Sequence, residues 1–154
     1  MTMRLRTTPR IFSRLCLKCI GKIADALRPA FGPNRRRRED VVRLLAQRPA
    51  LTHEQWHEQF AAPLGISFEF VRWFRDTCSE HFGYDLAGAL PDDHLVEDLG
   101  MYVATWQDVD LDILNDYQAR FHAELPSDEL PSILTFGQFL KALWTHAHSQ
   151  SNVA

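Results

Sequence analysis

The chain has 154 residues, 45% of them hydrophobic, with a net charge of −3. That suits one folded domain with additional chain, and it is too polar for an integral membrane protein, since no apolar run approaches the ~20 residues of a spanning helix. Charge is split along the chain: residues 1–38 carry +10 and residues 39–154 carry −13, the pattern of a basic arm on an acidic domain. Three cysteines without a convincing secretory signal read as reduced thiols of a cytoplasmic protein.

In chain order, residues 1–34 form the arm. Between Arg10 and Leu27, Phe12, Leu15, Cys16, Cys19, Ile20, Ile23 and Leu27 recur at helical steps opposite Arg14, Lys18 and Lys22, which predicts an amphipathic helix. Peripheral membrane contact is expected through residues 10–28. Nucleic acid is not the expected partner, because the run Arg35–Arg38 lacks interleaved aromatics. The paired thiols of Cys16 and Cys19 fall on the apolar side and read as small hydrophobes.

Residues 35–66 are predicted to be a short helical extension. One helix runs from Arg38 to Gln47 with Val41, Val42, Leu44 and Leu45 inward, stopped by Pro49. A second runs from His53 to Ala61, opened by a capping box between Thr52 and Gln55 and ended by Pro63 and Gly65. Ser67 is expected to cap a helix to Phe82, burying Val71, Phe74, Cys78 and Phe82. The loop Gly83–Gly100 should carry Leu86, Leu90, Leu95 and Leu99 inward. A long helix is predicted from Gln107 or Asp108 to Phe121, burying Leu111, Leu114 and Phe121 with Tyr117 or Gln118. Asp108, Asp112 and Asp116 would share its opposite face. Ser127–Ile133 is a short helix or turn. Thr135 caps a last helix with Phe136, Phe139, Leu140 and Leu143 inward, followed by a disordered tail, 148–154; His146, just before it, and His148 are expected to be solvated. Strand signals are scarce, so the class is all-α.

His53, Glu54 and His57 match HExxH, in which two histidines one turn apart hold Zn²⁺ and the glutamate activates water. Phe60 and Pro63 stand where the extended motif needs Gly and His, and the helix is short, so no metal is expected; His53 and His57 stand only as candidates, and a small zinc hydrolase is a remote alternative reading.

The run EHFGYDLAGALPDDHLVEDLG (80–100) resembles the opening of an acyl carrier protein, and FHAELPSDELPSILTFGQFLKAL (121–143) resembles its closing half. The resemblance spans residues 67–143 and implies an acyl-carrier-like four-helix bundle over 67–147, with the N-terminal helices as an extension. In that family a serine before the second helix holds phosphopantetheine. Here Gly100 leads into MYVATWQDVDLDIL, Gln107 takes the serine's place, and there is no serine from Glu80 to Pro126. The resemblance therefore implies a non-enzymatic, carrier-like domain with no prosthetic group. Its acidic second helix (Asp108, Asp110, Asp112, Asp116), with Tyr102 and Trp106 of the insertion, would bind a protein partner that has a basic patch. The other alternative is a working carrier of lipid or secondary-metabolite synthesis with an atypical attachment point.

Overall fold

The computed structural model describes residues 33–106 and 108–151. Residues 1–32 of the arm, with Cys16, Cys19 and the segment 10–28 where membrane contact is expected, and also Gln107, lie outside the described residues.

Helix α1 (Arg35–Ala46) starts at Arg35 rather than Arg38, because the Asn34 side chain accepts the Arg37 N–H and caps it there. Four cations in the first turn oppose the helix dipole. The arginines are drawn off by other partners: Arg35 to Glu39 at 2.9 Å, Arg37 to the Glu97 carbonyl and Arg38 to the Gly83 carbonyl. These bonds tie α1 to the loop after the third helix. Val41 and Leu45 are buried, whereas Val42 and Leu44, expected inward, are exposed.

Helix α2 (His53–Trp56) opens on the predicted Thr52–Gln55 capping box. It widens into a π turn, His57–Ala61, then tightens into a 3₁₀ turn, Ala62–Leu64, that ends at left-handed Gly65. Trp56 is buried, and its Nε1–H donates to the Ala89 carbonyl at 2.9 Å. Helix α3 (Phe68–Phe82) is capped by Ser67 and by left-handed Gly83, and it buries Val71, Phe74, Cys78 and Phe82 as their spacing predicts.

In the loop that follows, Leu86, Leu95 and Leu99 are buried, but Leu90 is exposed. Its N–H donates to Asp93 Oδ2 at 2.7 Å, and the resulting turn places Ala89 inward in its stead. Helix α4 (Val109–Phe121) and helix α5 (Phe136–Ser151), separated by a 3₁₀ turn at Leu130–Ser132, complete the fold. Gln138 Oε1 accepts the Leu134 N–H at 2.8 Å, and Thr135 Oγ1 accepts the Gln138 N–H at 3.3 Å, which fixes the start of α5. Among the described residues there is no β-strand, only an isolated bridge between His94 and Thr135.

Helix α3 is central. Phe74 meets Phe136 and Phe139 of α5 at ring separations of 4.8 and 5.7 Å, and Phe70 meets Phe121 of α4 at 4.9 Å. Tyr117 of α4 donates to the Leu143 carbonyl of α5 at 2.8 Å. The expected tail is not one through Ser151, because α5 continues past 148. His146 is half-buried there and donates to Glu129 at 3.0 Å, and His148 stacks on Trp144.

Candidate partner-binding surface

The insertion after Gly100 is a compact turn. Ala104 N–H donates to the Gly100 carbonyl at 2.6 Å and Met101 N–H to the Leu95 carbonyl at 2.8 Å. Thr105 Oγ1 accepts the Tyr102 N–H at 3.0 Å and donates to the Trp106 carbonyl at 3.2 Å. Met101, Ala104 and Thr105 are thereby buried, while Tyr102, Val103 and Trp106 face outward, Trp106 at 49% exposure. Asn34 N–H donates to the Val103 carbonyl at 2.8 Å, so the cap of α1 abuts this turn.

The turn delivers the chain into α4, whose buried stripe is Val109, Ile113 and Tyr117. Of the expected stripe, Tyr117 is buried and Leu114 and Phe121 pack half-buried on the core, whereas Leu111 is 54% exposed and joins the outward apolar residues of the turn. Asp108 and Asp112 are exposed. Asp110 and Asp112 in the first turn favour the positive end of the helix dipole. Asp110 is half-buried and bonded to Tyr102. Burial foremost, then that hydrogen bond and the Asp110 charge, push the Tyr102 phenol up to about 12.

Asp116, exposed on its expected face, also has a partner within the fold. Its Oδ2 takes the His81 Nε2–H at 2.6 Å and links α4 to α3. The structure therefore brings Tyr102, Trp106, Asp108, Asp110 and Asp112 together at one end of α4 and engages Asp116 within the fold.

The HExxH histidines have other work. His57 Nε2 bonds the Ile66 carbonyl at 2.9 Å. His53 Nδ1 accepts from Arg75 at 3.1 Å while its Nε2 faces Asp76 at 3.0 Å, which assigns a neutral ring with the proton on Nε2. Glu54 is held below the usual carboxylate range by its own backbone N–H and the Thr52 hydroxyl. Among the described residues, no group of three or more His, Cys, Asp or Glu is placed to hold a metal ion.

The residue that sequence reasoning missed is Arg75. It is 3% exposed and spans α3, α2 and the loop by donating to His53, to the Leu51 carbonyl at 3.0 Å and to the Ala87 carbonyl at 3.3 Å. Burial lowers its pKa, opposed by the charges of Asp85 and Asp76.

No protein-family model, curated protein or solved structure matches this chain. Among the described residues, no helix is long and apolar enough to cross a membrane.

Proposed function

We propose that this is a non-enzymatic, acyl-carrier-like helical domain without a pantetheine arm, which binds a protein partner bearing a basic patch. The observation that carries the reading is the outward cluster at the start of α4: the carboxylates of Asp108 and Asp112 beside exposed Tyr102, Val103, Trp106 and Leu111. Large exposed apolar patches mark interaction sites, and here four exposed apolar residues fall within the stretch 102–111. Carboxylates around them speed encounter with a cationic partner and select against anionic ones. In this reading α3, α4, the 3₁₀ turn and α5 are the four carrier elements, and α1 with α2 are the extension.

The test is affinity capture from the native host with the full chain, comparing wild type, an Asp108→Arg/Asp112→Arg variant and Trp106→Ala. A protein retained by wild type and lost by both variants, with their helical circular dichroism intact, supports the reading. Retention by the charge-reversed variant sinks it.

A further inference from the structure

Next to this cluster lies a cleft of about 350 Å³, at the small end of ligand-sized cavities, which span roughly 300–1,000 Å³. Leu95 and Met101 of the loop, Ile133 and Leu134 beyond the 3₁₀ turn, and Phe139 of α5 give it apolar walls. Tyr102 and Asp110 also line it, so the cleft and the acidic cluster share two residues. No Lys or Arg lines it, and Asp110 is its one carboxylate. Tyr102 stands there with a left-handed backbone, φ 68, a conformation that costs a non-glycine residue free energy and persists where surrounding bonds hold it. The Thr105 hydroxyl supplies that bond.

We propose that the cleft is an anchor pocket for a basic segment of a protein partner: one apolar side chain enters it while flanking Lys or Arg side chains lie over Asp108, Asp110 and Asp112. Charge decides among occupants. A fatty-acid carboxylate at the mouth would meet Asp110, and an anionic lipid surface would meet all three aspartates. A second copy docking by the same face would set acid against acid, since a two-fold interface pairs a patch with itself. A cationic, apolar-centred segment meets no such repulsion. The proposal rests on the partner-binding reading above and adds the form of what is bound.

The test uses the full chain and a lysine-rich peptide series identical except for a central Ala, Leu or Phe, with binding followed by fluorescence anisotropy. Burying the larger side chain should tighten binding about tenfold over the Ala peptide. That gain should vanish in a Leu134→Gln/Val96→Thr variant, whose two positions line the cleft and are exposed, with the helical circular dichroism of the variant checking that it folds. Chemical-shift changes at Tyr102, Ile133 and Leu134 of wild type on adding the Leu peptide check the location without any variant. Equal affinity for the Ala and Leu peptides overturns the anchor pocket but leaves the acidic surface standing, provided Asp108→Arg/Asp112→Arg still weakens both. If that variant weakens neither, the surface itself is wrong. Saturation of the cleft by dodecanoate in preference to the Leu peptide, or self-association through this face in sedimentation, also overturns the proposal.

Discussion

The Asp116 carboxylate accepts the His81 Nε2–H at 2.6 Å, joining α4 to the last turn of α3. The two sides of this bond are unequally wet: the His81 side chain is 21% exposed and that of Asp116 52%. A partly solvated pair of this kind contributes on the order of 0.2–1 kcal/mol. A double-mutant cycle with His81→Gln and Asp116→Asn, read by urea unfolding, should return a coupling energy in that range. Asp108→Arg and Asp112→Arg each set a cation at the positive end of the α4 dipole and should each cost on the order of 1 kcal/mol. A zero coupling energy would return Asp116 to the set of residues free to meet a partner.

Arg75 is a larger commitment. Its guanidinium fork serves two backbone carbonyls and a histidine ring from a buried position, and its Nε is buried without a partner among the described residues. Arg75→Met removes the donors and strands the Leu51 carbonyl. The expected cost is about 3 kcal/mol, or a fall in Tm of roughly 10 °C. Arg75→Lys keeps a cation but not the planar fork, and should recover only part of that loss. Full recovery by lysine in a thermal melt would show that charge, not geometry, holds the site.

What the sequence made legible was local. Thr52 with Gln55, Ser67, and Thr135 each write their cap within a few residues, and those helix starts stand as read. The α3 stripe was equally plain at Val71, Phe74, Cys78 and Phe82, but the buried face is wider and takes in Phe70 as well. On α4 the expected stripe holds at Tyr117 and, half-buried on the core, at Leu114 and Phe121. It fails at Leu111, and Val109 and Ile113 fill the core instead. Leu90 lost its inward place to a turn made by Asp93, a side chain three positions away whose partner is invisible in hydropathy. Arg75 carries no sequence signal at all, since arginine is by default a surface residue. For the candidate surface, the acidic run and the insertion were readable. Which aspartate bonds inward was not, because it depends on His81 arriving from another helix.

Gly100 turns the chain from the loop into the insertion with φ +69. A Cβ there would sit 2.5 Å from the Ala104 Cβ and 3.1 Å from the Val41 Cγ2. Gly65, with φ +72, has open space around the same position. Gly65→Ala should therefore cost only the conformational term, about 1 kcal/mol. Gly100→Ala should cost at least about 2 kcal/mol, because packing adds to it. Chemical denaturation of both variants separates the two contributions. Equal losses would mean that the turn yields to the extra methyl and does not fix Tyr102 and Trp106.

The hydroxyls of the insertion bear on the prosthetic group. Attachment needs an oxygen free to attack phosphorus. Thr105 Oγ1 is buried and engaged at both Tyr102 and Trp106. The Tyr102 hydroxyl is engaged with Asp110. Intact-mass measurement after co-expression with a broad-specificity pantetheinyl transferase should show the unmodified chain. A gain of one pantetheine arm would establish the working-carrier alternative, and peptide mapping would then locate the oxygen used.

Alkaline pH should unfold the protein through its tyrosines, which number three. Tyr84, donating to the Leu99 carbonyl, is pushed up by burial against the opposing charges of Arg38 and Arg37. Tyr117, buried between α4 and α5, is pushed up to about 12 by burial. Unfolded tyrosine ionises near 10. Above that pH the unfolded chain gives up protons that the folded chain keeps, so stability falls as pH rises. Their contribution is complete below about pH 10 and is lost as pH climbs through the folded values. Tyrosinate absorbance at 295 nm should rise late and together with the loss of helical signal. Tyr117→Phe should cost about 1 kcal/mol at neutral pH through the lost bond to Leu143, yet shallow the alkaline fall. If all the tyrosines titrate near pH 10 while the helices persist, then the interior that places α4 against α5 is open to water, and the surface built on the start of α4 is not rigidly presented.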